Sequence, residues 1–311
     1  MSLSNSFSIF IVRVIEKSSS KNSNLSEFDG ITDLKAFLYK VFSSKENAVN
    51  KIDLEQRAFS VEKITDKDGF LSGLIKTGLY GFESGIVDTE TGLVKYKKKK
   101  TDADITPFYW AFYIPKNSSK GMLITQNIGN HGILDLVKDI IQREFSEKFQ
   151  NHSLCINTQT PMEVVKHFCS DGQMMRIFLI KHTIPSDIAD RLSPGSSEQQ
   201  GSLELAIRPR AKNFFKNLSN RLVEYLAETD IDNSFIEFPG FEYDEIKADI
   251  KLNGRTRKVR FSNPKSFRFK IEIDDEEDLK KGVDGYLTFD SLNTIGKKYI
   301  KDLTERVGIL S

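Results

Sequence analysis

Residues 241–273 read FEYDEIKADIKLNGRTRKVRFSNPKSFRFKIEI and contain the clearest β pattern of the chain. Asn253-Gly254 supplies the positive φ angles that a two-residue type I′ turn requires, so strands on either side are predicted to pair antiparallel. A turn of this type also fixes which residues face each other. The predicted pairs are Leu252–Arg255, Lys251–Thr256, Ile250–Arg257, Asp249–Lys258, Ala248–Val259, Lys247–Arg260 and Ile246–Phe261.

A third strand is predicted at residues 266–273. Asn263-Pro264 ends the second strand, because proline has no amide hydrogen to donate to a ladder. Beyond it, apolar and charged residues alternate in the order Phe267, Arg268, Phe269, Lys270, Ile271, Glu272 and Ile273. The stretch therefore predicts a three-stranded antiparallel meander with one apolar face and one cationic face.

The rest of the chain predicts further strands and helices around this meander. Residues 7–15 and several segments between 57 and 127 have strand patterns, whereas residues 31–42 and 133–149 have apolar residues at helical spacing. Thr32 or Asp33 is the expected N-cap of the first helix. Its predicted core positions are Leu34, Phe37, Leu38, Val41 and Phe42.

The fold class follows from this order of elements. Residues 185–202 are rich in proline, serine, glycine and glutamine, which is typical of a linker. We predict an α+β protein with a β-rich, mixed or antiparallel N-terminal unit at 1–184 and a linker at 185–202. A smaller C-terminal unit is predicted at 203–311, built of a helix, the three-stranded antiparallel meander and a closing helix.

Composition limits the classes of function. The chain has 311 residues, a formal net charge of +1, 39% hydrophobic and 29% charged residues, and two cysteines. Such a balance is typical of a globular protein, and it gives no global field that would attract nucleic acid, so electrostatic recognition has to be local. The chain has no apolar run long enough to span a bilayer and no disulfide framework. We expect a cytoplasmic protein with no membrane insertion.

The densest local charge is a basic ribbon within the meander. Lysine and arginine neutralise phosphates, and a two-stranded ribbon fits a major groove, so the ribbon is a candidate nucleic-acid interface for DNA or RNA. The alternative is a solvated sheet face whose charges prevent edge-to-edge aggregation. The candidate binding residues are Arg255, Arg257, Lys258, Arg260, Lys265, Arg268 and Lys270.

A second hypothesis is a Mg²⁺-dependent nuclease. Restriction-type nucleases carry Glu-x-Lys on a strand, preceded by another carboxylate, to hold the metal and activate water. Glu245-Ile246-Lys247 fits the second half of this pattern, with Glu242 or Asp244 nearby. Strand alternation instead makes Glu245 and Lys247 ordinary solvent-facing residues.

Two further clusters have simpler interpretations. His152, Cys155, His167 and Cys169 could hold zinc, but small buried positions also suit both cysteines. The lysines of 95–100 lie near aromatic residues at 108–113 and could bind a single strand by charge and stacking. The alternative places the lysines in a hairpin and the aromatics in a core strand.

The leading function from sequence is therefore a non-enzymatic, nucleic-acid-contacting subunit or adaptor that works with protein partner subunits. The nuclease centred on 245–247 is the first alternative. The second alternative is a protein-interaction component without nucleic acid, for example a homodimer joined at a sheet edge. No cofactor is predicted. Chains of this size rich in Lys, Ile, Asn and Ser are frequent in bacterial defence and mobile-element systems, which gives the expected context.

Overall fold

The structure, a computed structural model, describes residues 4–157, 164, 166–184, 202–210, 215, 218–221, 241–252, 255–262 and 269–307. It confirms the α+β class, with a mostly antiparallel sheet and a C-terminal helix. Within these residues the helices are α1 (Leu34–Ser43), α2 (Leu134–Lys148) and α3 (Phe289–Val307), with a 3₁₀ turn at Asp53–Glu55 and a π-helical turn at His167–Asp171.

Fifteen strands occur in the same residues. They are β1 (Asn5–Glu16), β2 (Asn50–Ile52), β3 (Arg57–Lys67), β4 (Phe70–Leu79), β5 (Ser84–Val87), β6 (Val94–Lys98), β7 (Thr106–Tyr113), β8 (Gly121–Ile128), β9 (His131–Gly132), β10 (His152–Ile156), β11 (Gln173–Lys181), β12 (Leu203–Ile207), β13 (Glu245–Leu252), β14 (Arg255–Ser262) and β15 (Phe269–Glu272).

The predicted meander register is confirmed. β13 and β14 pair antiparallel with Leu252 opposite Arg255 and Ile246 opposite Phe261, and every predicted pair between them is present. β15 pairs with β14, placing Lys270 opposite Arg260. Residues 253–254 and 263–268 lie outside the described residues, so the type I′ turn and the start of the third strand remain predictions.

The chain forms two compact units, and their division falls within β1. Unit 1 contains the described parts of residues 1–10, 157–276 and 302–309, and unit 2 contains those of 11–156 and 277–301. Each unit thus combines distant parts of the sequence. The predicted domain limits, 1–184 and 203–311, remain a prediction, since most of the linker at 185–202 lies outside the described residues.

Unit 1 is an antiparallel sheet in the order β12–β11–β13–β14–β15–β1. The apolar face of β13 carries Ile246, Ala248 and Ile250, all buried. The π-helical turn at His167–Asp171 packs against this strand. Gly172 lies so close to Ile250 that a Cβ at this position would stand 2.3 Å from the isoleucine side chain.

Unit 2 is a second antiparallel arrangement in the order β2–β3–β4–β7–β8–β9, and β10 pairs with the end of β1. All five predicted core positions of α1 are buried, and Asp33 caps the helix by accepting the Ala36 amide at 2.7 Å. Phe42 stacks on Trp110 with ring centroids 4.0 Å apart. Helix α1 is therefore anchored to the sheet by stacking as well as by apolar burial.

Helix α3 approaches the sheet of unit 2 through small and polar groups. The side-chain oxygen Oδ1 of Asn293 accepts hydrogen bonds from Ser72 Oγ at 2.9 Å and from the Tyr109 hydroxyl at 3.1 Å. One turn along, a Cβ at Gly296 would lie 2.9 Å from ring and hydroxyl atoms of Tyr109, which is fully buried. Only glycine permits this approach of helix to sheet. Within the described residues, no helix is long and apolar enough to cross a membrane.

The close approach at Gly296 predicts that replacing this glycine with alanine destabilises the protein, although helix propensity alone predicts the opposite. Gly→Ala stabilises an exposed helix interior by about 1 kcal/mol. At Gly296 the new methyl group meets a buried ring that cannot yield, so Gly296→Ala should destabilise the protein by about 1–3 kcal/mol. Thermal unfolding measures this. Thr294→Ala, an exposed change in the same helix, is the control and should have a much smaller effect.

Candidate nucleic-acid interface

The register brings charged side chains of four strands in unit 1 to one surface, here called the charged face. On β13 they alternate with the buried apolar residues, and their partners on β11, β14 and β15 follow from the pairing. The cations of the charged face are Arg176, Lys247, Lys251, Lys258, Arg260 and Lys270, and its carboxylates are Glu245, Asp249 and Glu272.

Asp249 is the most deeply buried of these groups, with a side chain that is 0% exposed. Its Oδ2 accepts a hydrogen bond from Nε of Arg176 at 2.5 Å and lies 2.5 Å from Nη2 of the same guanidinium as an ion pair. Its Oδ1 has no hydrogen-bond partner among the residues that the structure describes. Because an uncompensated buried carboxylate is costly, the Arg176 guanidinium is what makes this position tolerable in the sheet.

Glu272 holds two cations at once. Its Oε1 lies 2.7 Å from Arg260 Nε and 3.4 Å from Lys247 Nζ, and its side chain is 10% exposed. Arg260 also reaches Ser4 Oγ at 3.4 Å. Lys258 makes a longer contact, 3.6 Å, with Asp275, which is 69% exposed. The carboxylates of the charged face therefore lie at its base, and the cations are held above them.

The structure locates part of the predicted basic ribbon. Lys258, Arg260 and Lys270 lie on the charged face. The backbone register pairs Arg255 with Leu252 and Arg257 with Ile250, but both arginine side chains lie outside the described residues, as do Lys265 and Arg268 entirely. Three cations were missed: Arg176, Lys247 and Lys251. The alternation of β13 identifies the two lysines, whereas Arg176 requires the pairing of β11 with β13.

The expectation that Glu245 faces solvent is wrong. Its side chain is 10% exposed, and its Oε2 lies 3.6 Å from Nε2 of His182. Strand alternation assigns a residue to a face but does not reveal whether that face is covered. Lys247 also differs from the expectation, since its side chain is only 16% exposed.

The side chains on which the nuclease hypothesis depends each contact a different residue. Asp244 accepts the backbone amide of His182 at 2.8 Å, Glu242 lies 3.7 Å from Lys181, and Lys247 contacts Glu272. Over the described part of the chain, no three His, Cys, Asp or Glu side chains are close enough together to hold a metal ion.

Two of the four histidine and cysteine candidates have simple local surroundings. Nδ1 of His167 lies 2.8 Å from Asp171. Burial raises the pKa of the Cys169 thiol to about 12, so this group stays protonated and is a poor nucleophile or ligand.

The lysines of 95–100 belong to β6 and the residues after it, and residues 108–112 are buried in β7. The hairpin and core-strand interpretation of that region is confirmed.

The Arg176–Asp249 pair predicts an asymmetric response to mutation. Arg176→Leu leaves a buried carboxylate without its cation and should cost about 2 kcal/mol or more in the free energy of unfolding. Adding Asp249→Leu to Arg176→Leu should recover much of this loss, because the uncompensated charge is removed with its partner. Denaturant unfolding of both variants measures the difference. A double variant no more stable than Arg176→Leu would contradict this account.

Comparison with known proteins adds no assignment to this geometry. A scan of the sequence against protein-family models finds no match, and a search of curated proteins finds none. The functional interpretation below therefore depends on the charges, burial and exposed surfaces of the described residues.

Proposed function

We propose that this chain is a non-enzymatic, nucleic-acid-contacting component that binds the sugar–phosphate backbone with its charged face. The observation that supports this proposal is that the carboxylates of the face are buried, whereas its cations lie nearer the surface. Six cations share this face with three carboxylates, all three with side chains at most 10% exposed, and the excess of three positive charges falls to two when Asp275, the exposed partner of Lys258, is counted. Apart from Asp275, a ligand that approaches the face meets lysine and arginine before it meets the carboxylates of the face.

Burial of the carboxylates also fixes the cations in position. Arg260 and Lys247 share one carboxylate, and Arg176 is held by a hydrogen bond and an ion pair to Asp249, so these side chains have already lost much of their rotamer freedom. Binding then costs less conformational entropy than it would with freely rotating lysines. The spacing of cations across and along the strands is about 5–7 Å, which allows several phosphates to be neutralised together.

Not all of the cations contribute equally. Lys251 is exposed, and among the described residues the carboxylate that Lys258 contacts is the largely exposed Asp275. Exposed ion pairs contribute little and exchange readily, so a phosphate can replace Asp275 at Lys258. These two lysines are the expected primary phosphate contacts. Contacts of this kind carry no sequence information, and we expect similar affinity for unrelated sequences.

The alternatives have less support from specific contacts. The nuclease hypothesis requires Glu245 to bind metal, and this carboxylate is instead buried beside His182. Partner subunits, and a role in bacterial defence or a mobile element, remain expectations from sequence on which the proposed function does not depend.

Removal of the two primary contacts tests the proposal. Lys251→Ala combined with Lys258→Ala should weaken binding to short DNA or RNA of any sequence and reduce the slope of log K against log salt by about two units. Fluorescence anisotropy over a salt series measures both quantities. The fold should persist, since neither side chain is buried and surface charges contribute little to stability.

Lys35→Ala combined with Lys40→Ala is the matched control, because it removes the same charge from α1 in unit 2. This variant should keep the wild-type salt slope. Equal losses of binding affinity in both double variants would show that only net charge matters, and would contradict binding by the charged face. The proposal fails if the wild-type protein binds neither DNA nor RNA at low salt. Cleavage of either in Mg²⁺ would contradict its non-enzymatic part.

A further inference from the structure

The exposed apolar side chains of the described residues are concentrated in one segment of unit 2. Of fourteen large hydrophobic side chains that are exposed, eight fall between residues 79 and 105. Single exposed apolar residues are ordinary, but a contiguous group indicates an interaction surface. The eight are Leu79, Phe82, Ile86, Val87, Leu93, Val94, Tyr96 and Ile105.

Most of this group lies on a hairpin formed by β5 and β6, here called the arm (Ser84–Lys98). Among the described residues the two strands pair only with each other and form a sheet of their own. Ile86 stands opposite Tyr96, and beyond a β-bulge Val87 stands opposite Val94. All four side chains are at least 47% exposed, so neither face of the arm is covered by the described residues.

The arm is firmly attached at its base, which is unusual for an isolated two-stranded hairpin. Lys98, its one buried residue, donates to the Leu79 carbonyl at 2.9 Å and lies 3.8 Å from the centroid of the Phe82 ring. The Gly81 amide donates to the Lys100 carbonyl at 2.7 Å. The Tyr96 hydroxyl donates to Asp102, and this bond lowers the pKa of the Asp102 carboxyl. The base therefore holds the apolar part of the arm away from the sheet of unit 2.

Charge changes sign along the arm. The turn at its tip carries Asp88 and Glu90, and Asp88 is engaged by Lys95 at 2.5 Å, whereas Glu90 is exposed and makes no ion pair with a described residue. Toward the base, Lys97 and Lys100 are exposed and likewise lack an ion pair within the described chain. The arm thus has a negative tip and a positive base, with apolar side chains between them.

We propose that the arm pairs antiparallel with the arm of a second copy of this chain about a two-fold axis. Such a pairing places the tip of each arm beside the base of the other, so that Glu90 of one copy faces Lys97 of its partner twice by symmetry. The apolar middle sections then cover each other. A two-stranded ribbon also has two unpaired edges, and an antiparallel partner strand satisfies one of them in each copy.

A second copy fits this surface better than a nucleic acid does. Stacking of bases requires open aromatic faces. Lys98 occupies one face of Phe82, next to the arm, and the apolar residues of the arm itself, apart from Tyr96, are aliphatic. Aliphatic side chains and paired charges of opposite sign are characteristic of protein interfaces. The inference is independent of the proposed function, because the arm belongs to unit 2 and the charged face to unit 1.

A charge exchange tests the antiparallel geometry. Sedimentation velocity or mass photometry of the purified full chain should show a dimer that dissociates on dilution. Glu90→Lys or Lys97→Glu alone should weaken the dimer by about tenfold, since each creates two like-charged contacts. The two substitutions together restore opposite charges and should return the dissociation constant to near the wild-type value. Thermal unfolding of each variant verifies that the fold is retained.

An apolar substitution tests the middle of the arm. Val94→Asp should abolish the dimer, because its buried charge would have no partner in the pair. Val283→Asp, at a fully exposed apolar residue elsewhere in unit 2, is the matched control and should leave the dimer intact.

Three results would overturn the proposal. In the first, the wild-type chain sediments as a monomer at all concentrations tested. In the second, it forms a dimer whose dissociation constant the arm variants leave unchanged. In the third, a monomeric wild type binds DNA or RNA and loses that binding with Val94→Asp, which assigns the arm to nucleic acid instead. The double variant Lys251→Ala, Lys258→Ala should lose nucleic-acid binding and keep the dimer. Failure of the dimer proposal and failure of the proposed function can therefore be told apart.

Discussion

The pairing register of β13 with β14 determines what unit 1 can do. It places Lys247 beside Arg260 and Asp249 beside Lys258, and through β15 it brings Glu272 within reach of two cations. A slip of one residue would move every charged side chain of β13 to the apolar side and every apolar one to the charged face. The charged face and the core beneath the sheet are therefore two results of one constraint.

The buried carboxylates make this constraint expensive to break. Asp249 is stable in its position only while Arg176 on β11 stands beside it, so the ion pair selects one alignment of β11 with β13 among the alternatives. Hydrophobic burial of Ile246 and Ile250 supplies stability but tolerates more than one arrangement of similar volume. In this sheet the charges specify the alignment and the apolar residues stabilise it.

Local patterns in the sequence were sufficient for the strands and for the meander register, because alternation and turn residues are properties of neighbouring positions. They also identified the core face of α1. They failed for Glu245 and gave no sign that Asp249 is buried, because burial depends on neighbouring strands and on what covers the face. They also missed Arg176, which belongs to the site only through β11. The exposure of the arm could not be predicted from the sequence either, because a strand pattern predicts pairing and does not show whether anything packs over the paired strands.

The lysines of the arm have a consequence for the protein during synthesis, before any partner arm is at hand. A hairpin with open edges and uncovered Val87 and Val94 is a template for uncontrolled strand addition. Lys95 and Lys97 interrupt the apolar run of β6 and act as gatekeepers against stacking of many copies. In the proposed pair, the charges that orient two copies thus also oppose uncontrolled strand addition.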